Sequence, residues 1–350
     1  MPSSRYRPTE LPRKPPKGFD MRNCVLIYQA GDRKVYTVGE DYIIKKTRYG
    51  INSEVATHNF VSDNTSVPVP FVYAEWLSED GKWHHILEGR IKGEPLTDCW
   101  RKLSMRDKIN IAEQVAKYMA RLSQFTSRKM QSISGQKLFH NVFVPKPVHG
   151  HLGIWDNDED IFNYEFLPGL RRAGVSGDLI RRAYLTMPPS KGKFVFTHGD
   201  LYVGNVMVDP QRGRVTAIID WESAGFWPHW FQYARITHGC NKDDGEWKYI
   251  LSEIQRDRGD IPQAAHGRVW YEAVGRLMYI PDDPQAKAWL SLLARYLSSE
   301  SVNLHKYKQV KPETSGASRW RDSDWACNGR GRGDEGYYGQ AYSMLPRGFR

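Results

Sequence analysis

The sequence lacks long apolar runs and closely spaced cysteines. No stretch approaches the roughly 18 consecutive apolar residues that a membrane-spanning helix needs, so we expect no membrane partner. Its cysteines, Cys24, Cys99, Cys240 and Cys327, form no C-x-x-C pair, which argues against a disulfide framework or a zinc site. The Pro-rich start has no apolar signal core. These absences predict a cytoplasmic protein with reduced thiols.

The composition is that of a folded protein with basic ends. The chain has 350 residues, 40% of them hydrophobic, so it can bury a large core as one two-lobed unit or two domains. Much of its net charge of +10 lies in the Pro-rich segment 1–18 and the Gly-, Arg- and Ser-rich segment 311–350. We predict a flexible arm and a disordered tail there. Basic tails of this kind are usually solvated, so no nucleic-acid partner is expected.

The most informative stretch runs from Phe194 to Trp221 and reads FVFTHGDLYVGNVMVDPQRGRVTAIIDW. Three short apolar runs, at 194–196, 206–208 and 215–219, are separated by a polar loop and by the turn signal DPQRG. This pattern predicts strand, loop, strand, hairpin turn and strand. The polar residues outside the turn are then collected at one end of the strands.

Within this stretch the spacing His-x-Asp-x-x-x-x-Asn is followed by an Asp at a strand end. Phosphoryl transfer from ATP uses such a set: the loop Asp accepts the proton of the acceptor hydroxyl, and the Asn and the later Asp hold magnesium on the phosphates. We therefore predict that Asp200 is the catalytic base and that His198 braces its loop by hydrogen bonding. Asn205 and Asp220 are the predicted metal ligands.

The motifs FTHGDLYVGNVMVD and IIDWESAGFWP resemble those of the aminoglycoside phosphotransferase/choline kinase-like family, in particular its fungal branch. The resemblance covers about residues 25 to 300. It implies an α+β, bilobal, protein-kinase-like fold, with a small antiparallel-sheet N-lobe over 19–92 and a mostly helical C-lobe over 93–310. It also implies an ATP- and Mg²⁺-dependent kinase that phosphorylates a hydroxyl of a small molecule.

Other functions are possible for such a sequence. A kinase-like protein with little or no activity, which binds nucleotide or serves as a scaffold, is the main alternative. A metallophosphatase would also need D-x-H and G-N-H arrangements, but Asn205 is followed by Val206. A protein kinase is disfavoured because the chain has no G-x-G-x-x-G loop, D-F-G or A-P-E.

The resemblance also assigns residues for the nucleotide in the predicted N-lobe. Lys45, at the end of an apolar strand, takes the place of the lysine on the ATP phosphates, and Lys46 faces the other way because strand side chains alternate. Glu54, at the start of a predicted helix, matches the acid that holds that lysine. The alternative for Glu54 is an acid favoured in a first helical turn by the helix dipole.

A glycine-punctuated crossing follows the predicted strand 85–88. By analogy this is the hinge, where backbone groups of Glu88, Gly89 and Arg90 would bond the adenine edge. The residues that cover the phosphates are not identified by any motif.

The predicted C-lobe contains a clear helix over 103–125. Ser104 and Asp107 form a capping pattern, and the apolar stripe consists of Ile109, Ala112, Val115, Met119 and Leu122. Helices over 246–258, 262–279 and 285–302 would wall the acceptor pocket. Gln232 stands where the family commonly has Glu. Acidic and basic residues nearly balance between 223 and 310, which argues against a polycationic acceptor.

Overall fold

The computed structural model describes residues 11–12, 14–19, 22, 24–48, 53–138, 152–190, 192–235, 241–257 and 264–298. The tail predicted over 311–350 lies outside these residues, as do Cys240 and Cys327. Within them, Cys24 and Cys99 are not in a disulfide.

The N-terminal part is an antiparallel sheet of five strands in the order β1-β2-β3-β5-β4. The strands are β1 (Cys24–Ala30), β2 (Arg33–Val38), β3 (Tyr42–Arg48), β4 (Val72–Leu77) and β5 (Trp83–Gly89). Gly31 and Gly39 form the first two turns with positive φ, which glycine adopts without a steric penalty. Helix α1 (Glu54–Asn64) lies between β3 and β4 in the chain. The predicted strands and the helix are therefore present.

Side-chain alternation gives the sheet two different faces. Ile43 packs with Met207 and Ile219 of the C-terminal part, whereas Ile44 packs on the opposite face with Trp76 and Leu87. Lys45 lies directly opposite Ile86 in the ladder and shares the face of Ile43. The register of β3 therefore directs Lys45 into the cleft between the two parts.

The arm predicted to be flexible over 1–18 contacts the sheet near its end. Leu77 donates its backbone N–H to the carbonyl oxygen of Pro12 at 2.8 Å, and the ring of Phe19 lies 5.8 Å from that of Trp76. Because β4 is an edge strand, its backbone groups are available to an extended segment. Pro12 thus contacts the sheet, residues 1–10 lie outside the described ranges, and the flexible arm over 1–18 stays a prediction.

The C-terminal part combines two small sheets with helices. Its sheets have the orders β10-β9-β6 and β11-β8-β7. The strands are β6 (Glu94–Pro95), β7 (Thr126–Ser127), β8 (Phe194–Thr197), β9 (Val206–Asp209), β10 (Arg214–Ile218) and β11 (Gly225–Pro228). The predicted strand–loop–hairpin is thus β8, the loop that follows it, and the β9–β10 hairpin.

Helices make up most of this part. They are α2 (Leu96–Cys99), α3 (Met105–Leu122), α4 (Asp158–Asp160), α5 (Leu167–Arg172), α6 (Gly177–Leu185), α7 (Phe231–Arg235), α8 (Lys242–Asp257), α9 (Ala264–Tyr279) and α10 (Pro284–Ser298). The three helices predicted after residue 245 are present as α8, α9 and α10, with shifted ends. None of the helices within the described ranges is long and apolar enough to cross a membrane.

Helix α3 begins as predicted but buries a slightly different face. Asp107 donates its backbone N–H to Ser104 Oγ at 3.2 Å, so the cap is present. Ile109, predicted to belong to the apolar stripe, is 40% exposed, and Ile111 is buried instead. The buried arc is centred on Val115 and Met119, and at 100° per residue Ile111 lies closer to that centre than Ile109 does.

Candidate active site

The loop between β8 and β9 is fixed by His198. Its Nε2–H donates to the carbonyl oxygen of Ile219 at 3.0 Å, and its Nδ1 accepts the backbone N–H of Asp200 at 3.2 Å. These two bonds require the neutral ring with its proton on Nε2. Burial lowers the pKa of His198 to about 4, so the ring is neutral at physiological pH. His198 therefore ties the Asp200 loop to the end of β10.

Gly199 lets this loop pass close to the turn after Asp220. It has a φ of +81°, and a Cβ atom at this position would lie 2.5 Å from the carbonyl oxygen of Ser223. Any other residue would force the loop and the turn apart. The glycine in the motif is thus a requirement of packing.

Asn205 closes the loop from its other end. Its Nδ2 donates to the carbonyl oxygen of Asp200 at 3.0 Å, and its own carbonyl oxygen accepts the backbone N–H of Ile219 at 2.9 Å. Its Oδ1 is buried and has no hydrogen-bond partner within the described part of the chain. Buried acceptors are normally satisfied, so this oxygen is suited to a ligand or a metal ion.

Asp220 has a strained backbone and a second unsatisfied oxygen. With a φ of 65°, it is the only non-glycine residue of positive φ among those the structure describes. Such conformations persist mainly where function requires them. Asp220 Oδ1 is also buried without a hydrogen-bond partner among the described residues. The backbone bond from Ile219 to the Asn205 carbonyl oxygen holds the segments that carry these two unsatisfied oxygens next to each other.

Charges around Asp220 favour a cation there. Burial raises the pKa of Asp220 well above its usual range, and the carboxylates of Glu222 and Glu54 raise it further. The charges of Lys45 and Arg33 act in the opposite direction but do not offset burial. A divalent cation would stabilise the ionised carboxylate. Carboxylate and amide oxygens are the ligands that Mg²⁺ uses, so the pair Asn205 and Asp220 fits this metal.

Lys45 lies between two buried carboxylates. Its Nζ is 2.6 Å from Glu54 Oε1 and 3.1 Å from Glu88 Oε1. Burial would raise the pKa of Glu54, but the Lys45 ammonium and the neighbouring His58 hold it below its usual range. Lys46, by contrast, lies with its Nζ 4.9 Å from the centre of the Trp83 ring, on the face away from the cleft.

The ion pair with Glu88 was missed by sequence reasoning, which assigned only backbone groups to this residue. The missing signal is the strand register, because Glu88 pairs with Ile43 and thus shares the cleft face with Lys45. Glu54, His58 and Glu88 together have metal-ligand geometry. Their two carboxylates already contact the Lys45 ammonium, so we assign the cluster to the lysine.

The predicted hinge donors are used inside the N-terminal part. Gly89 donates its backbone N–H to Phe71 at 2.8 Å, and Arg90 donates its own to Asp41 at 2.7 Å. Glu88 belongs to the sheet ladder with partners in both β3 and β4. The N–H groups of Gly89 and Arg90 are therefore engaged within this part of the chain, and the assignment of backbone groups of Glu88, Gly89 and Arg90 to the adenine edge stays a prediction.

A cluster of buried apolar side chains lies between the sheet and the β9–β10 hairpin. It is formed by Ile27, Tyr28, Val35, Ile43, Met207, Ala217 and Ile219, with Ile91 packed against them. Sequence reasoning did not identify it. The alternation of side chains within β9 could have predicted it, because Val206 and Val208 face the core of the C-terminal part and Met207 faces this apolar cluster.

A small cavity of about 10 Å³ lies on the other side of the Asp200 loop. Its lining residues are Met119, Thr197, Gly199, Asp200, Leu201, Gln232 and Lys248. Gln232 Oε1 is buried there without a hydrogen-bond partner in the described ranges. Lys248 is paired with Asp244 at 2.9 Å, and Asp244 also accepts the backbone N–H of Val203.

The two-lobed fold and this loop define a kinase-like phosphotransferase. A sequence model of the phosphotransferase enzyme family matches residues 28–266 of the 350-residue chain. The chain belongs to this family. The predicted family and the bilobal, protein-kinase-like α+β fold are confirmed.

Solved structures of aminoglycoside phosphotransferases share the fold. A thermostable mutant of aminoglycoside phosphotransferase APH(4)-Ia, in ternary complex with ADP and hygromycin B, has a TM-score of 0.51 at 14% identity and covers 80% of this chain and 95% of that one. Another, with AMP-PNP and hygromycin B, has a TM-score of 0.50 at 14% identity and covers 82% and 97%. A streptomycin–ATP ternary complex of APH(2")-IIa has a TM-score of 0.49 at 15% identity and covers 78% and 90%. No curated protein matches the chain.

Proposed function

We propose that the protein is an ATP- and Mg²⁺-dependent kinase that transfers the γ-phosphate to a hydroxyl of a small molecule. The observation that carries this proposal is the pair of buried, unsatisfied oxygens, Asn205 Oδ1 and Asp220 Oδ1, beside the Asp200 loop. Family membership supports phosphoryl transfer. The solved relatives with ADP or AMP-PNP and hygromycin B support a nucleotide and a small-molecule acceptor.

In this proposal each side of the cleft has a separate task. The base of ATP lies against the apolar cluster of Ile27, Met207 and Ile219, and the Lys45 ammonium, held by Glu54, contacts the phosphates. Asn205 and Asp220 hold magnesium, which when bound offsets the negative charge of the phosphates. Lys45 and the proposed metal ligands Asn205 and Asp220 are all buried. Positive charge at these two positions would therefore act on the phosphates in a low dielectric.

Asp200 acts on the acceptor. The acceptor oxygen attacks the γ-phosphorus, the bond from that phosphorus to the bridging oxygen of ADP breaks, and the hydroxyl proton passes to the Asp200 carboxylate. His198 is a positioning residue, since its Nδ1 holds the Asp200 backbone and its Nε2–H holds Ile219. The neutral His198 ring leaves the Asp200 carboxylate free of a competing imidazolium.

The side chains around Asp200 suggest the charge of the acceptor. Gln232 contributes a neutral amide, and the Lys248 charge is balanced by Asp244. Asp200 is the one carboxylate among these lining side chains, so an aminoglycoside-like polycation would find little negative charge there. We therefore propose a neutral or weakly charged acceptor with several hydroxyls.

The test is a screen of hydroxylated small molecules for ADP release, with the wild-type chain and with EDTA added. We expect release with a subset of neutral polyols or hydroxylated metabolites, and its loss on chelation. Mg·ATP binding by calorimetry without turnover on any acceptor would favour the nucleotide-binding or scaffold alternative. Absence of Mg·ATP binding would refute the proposal.

A further inference from the structure

The hairpin that faces the phosphate region has no glycine-rich loop. The turn between β1 and β2 contains one glycine, Gly31, followed by Asp32 and Arg33. In loops of the glycine-rich type, successive backbone N–H groups bind the phosphates. This hairpin must supply another kind of group if it contributes to phosphate binding.

Arg33 extends from this hairpin to the C-terminal part. Its guanidinium forms a hydrogen-bonded ion pair with Glu222, 189 residues away in the chain. The two side chains are 15% and 10% exposed, respectively, so the pair is shielded from solvent. The contact joins the sheet to the turn after β10.

The position of this ion pair matters because Glu222 lies two residues after Asp220. Arg33 and Lys45 are the two cations whose charges act on the Asp220 carboxylate. A polyphosphate that contacts Lys45 and a metal on Asp220 would approach the turn to which Arg33 is bound through Glu222. A guanidinium binds phosphate through two parallel hydrogen bonds, a geometry that suits it better than an ammonium.

We propose that Arg33 is a phosphate-binding residue that replaces the glycine-rich loop, and that Glu222 holds it while no nucleotide is bound. The proposal rests on the proposed function. Binding of ATP exchanges one carboxylate for a polyphosphate of higher negative charge.

The ion pair of Arg33 with Glu222 could instead serve only to stabilise the contact between the two lobes. If the pair only joins the lobes, Arg33→Gln and Glu222→Gln remove the same interaction and should have equal effects on stability and on nucleotide affinity. If Arg33 binds phosphate, the two variants should differ. Both should lower the melting temperature, but only Arg33→Gln should weaken nucleotide binding.

The experiment is calorimetric titration of full-length wild type and variants with Mg·ATP, Mg·ADP and adenosine. Arg48→Gln is the matched control, because Arg48 lies 3.6 Å from Asp32 of the same hairpin but both side chains are more than 60% exposed. We expect Arg33→Gln to weaken Mg·ATP binding roughly ten- to hundredfold and to leave adenosine within twofold. Glu222→Gln should bind Mg·ATP as well as wild type or more tightly, and Arg48→Gln should be unchanged.

Arg33→Lys keeps the positive charge but lacks the two parallel donors of the guanidinium. Its Mg·ATP affinity should therefore lie between those of Arg33→Gln and wild type. Equal losses for Arg33→Gln and Glu222→Gln, or a parallel loss of adenosine binding, would overturn the inference. If Arg33→Gln does not fold, Arg33→Lys with wild-type affinity would overturn it as well. If wild type and Arg33→Gln bind Mg·ATP with equal affinity, only this inference is refuted. If wild type does not bind Mg·ATP, the proposed function is refuted as well.

Discussion

Ile219 donates its backbone N–H to the carbonyl oxygen of Asn205 at 2.9 Å, while its own carbonyl oxygen accepts Nε2–H of His198. Ile219 directly precedes the proposed metal ligand Asp220. Its two backbone bonds therefore connect Asp220 to the loop that carries the proposed base. These hydrogen bonds to backbone groups of Ile219 set the distance between the proposed base and the proposed metal site. Substitution of the Asp200 or Asp220 carboxylate should therefore leave this geometry intact.

The first prediction concerns Asp200. Asp200→Asn keeps the size of the side chain and removes the proton acceptor, so kcat should fall by about 10²- to 10⁴-fold with little change in Mg·ATP affinity. Steady-state ADP release and calorimetry measure the two quantities. A normal turnover number in this variant would show that the base is another residue.

The second prediction concerns Asp220. Asp220→Asn preserves a residue type that tolerates positive φ but removes the buried charge. We expect Mg·ATP affinity to fall at least about tenfold, since a carboxylate ligand is lost. The melting temperature without ligand should stay equal or rise, because burial of this carboxylate is unfavourable, as its raised pKa indicates. Unchanged Mg·ATP affinity would place the metal elsewhere.

The third prediction concerns the pair of Lys45 and Glu54. Lys45→Met and Glu54→Gln should each lower kcat/KM for ATP, and the double variant should lose much less than the product of the two losses, because the side chains are in direct contact. Lys46→Met is the control and should be mild, since Lys46 packs on Trp83. Additive losses at 45 and 54, or a heavier loss at 46, would contradict the assignment.

The fourth prediction concerns pH. Burial lowers the pKa of His198 to about 4, below the value of about 6.5 in an unfolded chain. The folded state therefore binds fewer protons, so this contribution to stability is complete above about pH 6.5 and is lost as the pH falls toward 4. Its size is about 3 kcal/mol. His198→Gln should flatten the decline of the unfolding free energy across this interval.

His85 provides the matched control, since burial also lowers its pKa to about 4 but it stacks on Trp76 away from the loop. His85→Gln should flatten the stability profile similarly and leave kcat unchanged. His198→Gln should lower kcat as well, because Asp200 loses its backbone contact. Equal kcat in both variants would remove the positioning role of His198.

Sequence reasoning was most successful where the signal was local. His198, Asp200 and Asn205 lie in one loop between apolar runs, and the strand end at Asp220 follows after a single hairpin. The side-chain alternation in β3 was sufficient to separate Lys45 from Lys46. In these places, short-range periodicity and turn chemistry determine the structure.

The remaining features depend on contacts between distant segments. The ion pair of Arg33 with Glu222 joins residues 189 positions apart, and no local pattern marks either of them. Glu88 was assigned through its backbone because its pairing with β3 decides where its side chain points. The positive φ of Asp220 arises from the surrounding packing, since the residue type alone does not require it.

Because Gly199 has no side chain, its backbone lies against that of Ser223, and this contact sets the smallest separation between the two segments. A single methyl group there would act as a wedge between the loop of the proposed base and the turn that follows the proposed metal ligand. Loss of activity on substitution of Gly199 should therefore be interpreted as a change in the separation of two intact groups. The position offers a way to vary that separation while every reacting atom is kept.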